Sequence, residues 1–151
     1  HVVLPGYNCR PTEIQGAIGI EQIKKLDNFI SFRLENLRYI TDKFNEKKFN
    51  LNLQQSESNS VTSAFGFGLI TDVQDTRDAL VEVLIKNNIE CRPIVTGNML
   101  RQPVFKKIAN AEEFIGAEKI HKCGLMIGNH QRSIKREIDH LCKILDEFYS
   151  K

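Results

Sequence analysis

Residues 6–27 read GYNCRPTEIQGAIGIEQIKKLD, a polar turn that leads into a helix. Pro11 suits a first helical position, because its φ is already helical and it has no N–H to leave unbonded. Thr12 begins a capping-box pattern with the glutamine three residues later, which is an alternative start. With either start, Asn8 and Arg10 precede a helix N-terminus, where free N–H groups and the helix dipole attract anions. The stretch therefore indicates a phosphate or carboxylate contact, or else an ordinary turn in which Arg10 is solvated.

A long helix is predicted to follow this turn. Apolar residues recur at three- and four-residue steps as far as Phe44, which predicts a helix from about Pro11 with a kink at Leu26-Asp27-Asn28. Gly16 and Gly19 lie near its start, and a glycine costs about 1 kcal/mol in a helix relative to alanine. We therefore expect another backbone or a ligand to come close to them, the alternative being plain helix packing.

The rest of the chain mixes short apolar runs with amphipathic helices. Strands are predicted at 49–53, 61–70, 89–95 and 124–128, and helices after Thr76, at 111–122 and after Ser133. The order contains no repeated βαβ unit, so we predict an α+β fold with a small, mostly antiparallel sheet and helices packed on one face. Pro93 predicts an edge position for the third strand. Residues 1–44 are expected to form the motif loop and connecting helix, and residues 45–151 the small α/β domain.

Two glycines mark one face of the predicted second strand. Gly66 and Gly68 alternate with Phe65, Phe67 and Leu69. Because glycine in a strand interior often marks a close approach, we expect something to lie directly against the glycine face.

Composition excludes several classes of function. The 151 residues are 41% hydrophobic, and 21 basic residues against 19 acidic ones give a net charge of +2. This balance gives no reason to expect nucleic acid or a membrane surface as a partner. No metal-ligand spacing appears among the four cysteines, so we expect reduced thiols, no metal and a cytoplasmic location. The chain starts at His1 without an initiator methionine, and we expect it to be a piece of a longer protein.

The motif Gly-Tyr-Asn-x-Arg, followed by TEIQGAIG and QIKKLD, resembles the signature of the DegT/DnrJ/EryC1/StrS family. This family contains pyridoxal-phosphate-dependent sugar aminotransferases and related dehydratases. The resemblance covers residues 6–27, and the stretches 91–103 and 128–132 agree with it. It implies the C-terminal small domain of a fold-type-I enzyme, which the long helix joins to the cofactor domain.

The resemblance also implies roles for six residues. Asn8 would reach across a homodimer and bond the cofactor phosphate, and Arg10 would lie near the acidic part of the substrate or amino donor. Substrate contacts would come from four more residues, namely Arg92, Asn98, Arg101 and His130. For Arg101 a solvated loop charge is an equal alternative, and a lone loop histidine such as His130 is often simply exposed.

The implied function is transfer of an amino group, expected to come from glutamate, to a nucleotide-linked keto sugar. Such a reaction would serve cell-surface polysaccharide or deoxy- and amino-sugar biosynthesis. The family's aldimine lysine, or the histidine that replaces it in dehydratases, would lie upstream of His1. We therefore expect no catalytic residue in this chain, which alone would be inactive. The alternatives are 3-dehydration of a 4-keto-6-deoxy sugar and a non-catalytic ligand-binding or regulatory domain.

Overall fold

The computed structural model describes residues 11–103, 105 and 108–150, in which five α-helices accompany four short strands. In chain order these are α1 Glu13–Ile23, α2 Leu26–Lys47, β1 Asn52–Leu53, β2 Gly66–Ile70, α3 Gln74–Lys86, β3 Cys91–Arg92, α4 Ile115–Cys123, β4 Gly124–Gly128 and α5 Lys135–Tyr149. Two single 3₁₀ turns, Met99–Arg101 and Ala111–Glu113, lie between β3 and α4.

The four strands form one antiparallel sheet in the order β1-β2-β4-β3. The edge position predicted for β3 is confirmed. The strand stops at Arg92 rather than reaching residue 95, because Pro93 has no N–H for the ladder and Val95 leaves the extended region with a φ of 51°.

The hydrophobic core lies on one face of this sheet. Phe67 and Leu69 of β2 pair with Ile127 and Leu125 of β4 and point into the core. The helices α2, α3 and α5 cover them with Ile40, Phe44, Leu80, Leu84, Ile138, Leu141 and Leu145. The predicted α+β class, with a small antiparallel sheet and helices on one face, is therefore confirmed.

The long helix is divided into α1 and α2 at Lys24 and Lys25, just before the predicted kink. The capping box at Thr12 is present, since its hydroxyl accepts from the backbone N–H of Gln15, whose side chain accepts in return. Every residue of α1 is exposed, whereas α2 is packed into the core through its C-terminal half. The division after residue 44 stays a prediction, and α2 continues across it to Lys47.

Close approach at the glycine face of β2 is confirmed. A Cβ built on Gly66 would lie 2.9 Å from the Met126 side chain, and one on Gly68 would lie 2.8 Å from Gln54 Oε1. Side chains of this sheet and of the segment after β1 thus occupy the space.

The cap predicted at Ser133 is wrong. The N-cap residue of α5 is Ile134, which has no side-chain acceptor. The backbone N–H of Ile134 donates instead to Asn36 Oδ1 on α2, at 3.2 Å. A side chain from a distant helix thus replaces the local cap, which no local pattern reveals. Among the described helices, none is long and apolar enough to span a bilayer.

Candidate functional site

A groove lies between the β3 edge of the sheet and the N-terminal half of α5. Its volume is about 640 Å³, within the range of ligand pockets. The floor is apolar and includes Phe67, Met126 and Ile138. Two of the predicted substrate residues, Arg92 and His130, line this groove together.

The rim of the groove is charged and mainly basic. Arg92, Arg132 and Arg136 contribute guanidinium groups, against the carboxylates of Glu90 and Glu137. The imidazole side chains of His130 and His140 also line the groove. Because guanidinium groups bind phosphates bidentately, this rim fits an anionic ligand.

The two acidic residues each orient one arginine of the rim. Arg92 donates to Glu90 Oε1 from Nε at 2.9 Å and from Nη2 at 2.5 Å. Arg132 Nη2 lies 2.9 Å from Glu137 Oε1. The backbone N–H at the start of α5 and the Arg132 guanidinium lower the pKa of Glu137. All four side chains are more than half exposed, so each ion pair contributes little to stability.

The other two predicted substrate residues in the described ranges lie elsewhere. Asn98 and Arg101 both bond to Glu118 of α4, which is 8% exposed. Arg101 donates from Nε and Nη2 to the two carboxylate oxygens at 2.7 Å each, and Asn98 Nδ2 donates at 2.8 Å. These bonds, above all those from Arg101, lower the pKa of Glu118 from its ordinary 4.5 to about 2. In this structure the guanidinium of Arg101 is thus bonded to the carboxylate of Glu118. The substrate contacts expected for Asn98 and Arg101 stay predictions.

A tight turn leads from β3 to this cluster. Gly97 has a φ of 67°, and its N–H donates to the carbonyl of Ile94 at 2.9 Å. The next residue, Asn98, donates its backbone N–H to Nδ1 of His121 at 3.3 Å. The turn therefore sets the direction in which the 98–101 segment leaves the sheet edge.

Asn8 and Arg10 lie outside the described residues, and their predicted anion contacts stay predictions. Sequence reasoning missed three groove residues, Arg132, Arg136 and His140. A signal existed for the last two, since they are four residues apart on α5 and therefore share a helix face.

The described lining of the groove offers no amine for a covalent link to pyridoxal phosphate. None of the described side chains that line the groove is a lysine, whereas a covalent link to the cofactor needs a lysine with a lowered pKa. The pKa values of Lys43 and Lys47 are instead raised, by Tyr39 and Asp146 respectively. The Cys91 thiol is not activated either, because burial raises its pKa. Within the described ranges no cluster of three or more His, Cys, Asp or Glu side chains could hold a metal.

Comparison with known proteins identifies relatives of this architecture. The chain is 45% identical over 146 residues to a GDP-4-keto-6-deoxy-D-mannose 3-dehydratase of Escherichia coli O55:H7. The matched region covers 95% of the chain and 37% of the relative. It matches the structure of the E. coli enzyme of that name with bound hydrated PLP, at 44% identity and a TM-score of 0.81 over 96% of the chain and 38% of that structure.

A second structure of an enzyme with this activity contains a trapped PLP-glutamate geminal diamine. It matches at 44% identity and a TM-score of 0.78, again over 96% of the chain and 38% of that structure. The chain thus spans less than two fifths of the length of these relatives. The model of the DegT/DnrJ/EryC1/StrS aminotransferase family matches residues 1–146. Because this family model covers almost the whole chain and the chain shares its fold with these enzymes, the chain belongs to the DegT/DnrJ/EryC1/StrS family, whose members depend on pyridoxal phosphate.

Proposed function

We propose that this chain is the C-terminal domain of a pyridoxal-phosphate-dependent 3-dehydratase that acts on a GDP-linked 4-keto-6-deoxy sugar. The single observation that carries the proposal is 45% identity over 95% of the chain to an enzyme with this activity. This evidence favours the dehydratase, which the sequence analysis ranked second, over the aminotransferase.

In this proposal the chain supplies part of the substrate-binding wall. The arginines at positions 92 and 132 would bind the diphosphate of the nucleotide, because each presents a planar fork of N–H donors at the rim. The apolar floor would exclude water from the remainder of the ligand. The cofactor would supply an electron sink, and the histidine that replaces the aldimine lysine in the family's dehydratases would lie in the part of the enzyme outside this chain.

The assembly is proposed to be a cytoplasmic homodimer in which Asn8 contacts the cofactor phosphate of the partner subunit. The exposed apolar side chains of α1 support burial of this helix in the whole enzyme, since Ile14 and Ile18 are 73% and 58% exposed here. The thiols of Cys91, Cys123 and Cys142 are unpaired, which supports a reducing compartment.

The proposed groove can be tested by GDP binding to the full-length enzyme. Replacing Arg92 with glutamine should weaken GDP binding about tenfold, through loss of a charge-assisted contact. The control is Arg38→Gln, because Arg38 is also exposed but lies on α2 outside the groove. Equal GDP affinity of the Arg92 variant and the wild type, measured by calorimetry, would exclude the groove as the nucleotide site.

The aminotransferase remains the second candidate, because the matching family is described by that activity. The two reactions separate when the full-length enzyme is given pyridoxal phosphate, ¹⁵N-glutamate and GDP-4-keto-6-deoxymannose. A dehydratase removes the oxygen at C3 and leaves no ¹⁵N in the sugar. An aminotransferase replaces the keto oxygen and leaves one ¹⁵N there. Mass spectrometry of the product decides between them.

A further inference from the structure

We propose that Asn36 of α2 is a positioning residue for the groove. Together with Asn129 it holds the 130–133 segment, here called the groove loop, in the shape that presents His130 and Arg132 to the ligand. This inference rests on the proposed nucleotide-binding function of the groove.

Asn36 bonds to the backbone of two residues of the groove loop and of Ile134, which follows it. Its side chain is fully buried. Nδ2 donates to the carbonyl oxygens of His130 at 3.2 Å and Arg132 at 2.8 Å, and Oδ1 accepts from the N–H of Ile134 at 3.2 Å. One carboxamide therefore determines the path of the chain from the end of β4 to the start of α5.

Asn129 anchors the other end of the groove loop. Its side chain, 4% exposed, accepts from Asn36 Nδ2 at 3.0 Å through Oδ1. Its Nδ2 donates to the carbonyl oxygens of Arg33 on α2 and Ala64 before β2, at 3.1 and 2.9 Å. Its backbone N–H donates to the carbonyl of Phe65 at 2.8 Å. The two asparagines thus join α2, the start of β2 and the groove loop.

The groove loop depends on these backbone contacts because its own side chains do not pack. All four residues, 130–133, are exposed. Core packing holds Ile134 and Ile138 at the beginning of α5 but involves none of the residues 130–133. The carbonyls that Asn36 holds set where the His130 and Arg132 side chains leave the backbone, and Glu137 then orients the Arg132 guanidinium.

The arrangement is specific to a carboxamide. A hydrocarbon at position 36 would fill the volume but leave two backbone carbonyls, the Asn129 side-chain oxygen and one backbone N–H without their partner. Leaving buried polar groups unpaired is costly, so the groove loop would shift toward solvent. The side chains of His130 and Arg132 would then no longer lie in the groove beside Arg92.

The test uses the full-length enzyme, with GDP as the probe. Asn36→Ala is compared with Thr71→Ala. Thr71 is also fully buried and bonds through its hydroxyl to the carbonyls of Val73 and Cys123, but it follows β2 at the end away from the groove. Thermal midpoint, GDP affinity and amide hydrogen exchange of residues 129–134 are measured for both variants.

We expect Asn36→Ala to weaken GDP binding about tenfold, the equivalent of one hydrogen bond. Amide exchange in residues 129–134 should accelerate in this variant alone. Thr71→Ala should bind GDP within about twofold of wild type, although its midpoint also falls. Equal GDP loss in both variants, or none in Asn36→Ala, overturns the inference.

The test includes a second variant and a measurement on the wild type. If Asn36→Ala does not fold, Asn36→Ser replaces it. In the wild type, the Ile134 amide should exchange slowly despite following an exposed loop, and fast exchange there overturns the inference without any variant. If Arg92→Gln weakens GDP binding and a folded Asn36 variant does not, only the positioning role fails. A wild-type enzyme that does not bind GDP refutes the proposed function and this inference with it.

Discussion

Replacing Gly97 with alanine should destabilise the protein by about 1–4.5 kcal/mol. The backbone at this position is left-handed, which costs a residue with a Cβ about 1–2 kcal/mol. The new Cβ would also overlap His121 Nδ1 and would lie 3.2 Å from His121 Cα. Relieving this overlap adds about 1–3 kcal/mol, as for other overpacked sites. Alanine has less conformational freedom than glycine in the unfolded chain, which offsets only about 0.4–1 kcal/mol of this destabilisation.

The assay is urea denaturation, with the midpoint and slope measured for wild type and variant. Gly116→Ala is the matched control, because Gly116 lies in α4 with nothing within 4 Å of the position a Cβ would take. The same substitution there should be neutral or stabilise by up to about 1 kcal/mol, through helix propensity. A cost of less than about 0.5 kcal/mol for Gly97→Ala, the scale of ordinary surface changes, or an equal loss in both variants would show that neither the left-handed backbone nor His121 disfavours alanine at position 97.

Two further predictions concern the α4 cluster and the core. Because the folded pKa of Glu118 is about 2 and its ordinary value is 4.5, its stabilising contribution is complete above pH 4.5 and is lost as the pH falls toward 2. Melting temperatures of wild type and Glu118→Gln should therefore differ at pH 7 and converge in acid, and a difference that stays constant down to pH 2 would contradict this. Leu145→Ala, at a fully buried position of α5, should cost about 2–5 kcal/mol in denaturant unfolding. The exposed Ile20 provides its control, since Ile20→Ala should change the unfolding free energy by less than about 0.5 kcal/mol.

The cluster around Glu118 shows why a motif match does not settle a residue's role. Arg101 follows Asn98 in a segment that resembles a substrate-facing loop of the family. In the structure its fork is matched to a carboxylate on α4, seventeen residues further along the chain. A guanidinium recognises a protein carboxylate and a ligand anion by the same geometry, so sequence alone leaves both partners open.

Local sequence determined much of the architecture. The capping box at Thr12, the five-residue strand from Gly124 to Gly128 and the edge position of β3 were all predictable. Each depends on interactions within a few residues, namely a side chain bonding the next turn, an apolar run between glycines, and a proline without an N–H. The family was also readable, because residues 6–27 form a long and specific motif.

Only the tertiary structure decided which charged residues meet. Arg92 and His130 are 38 positions apart in the chain, yet they line one groove because β3 pairs with β4 immediately before the groove loop begins. The start of α5 likewise depends on Asn36, almost one hundred residues away, rather than on the adjacent Ser133. Contacts of this kind arise when packing of the core brings distant segments together, and their energies belong to pairs of residues that no short stretch of sequence contains.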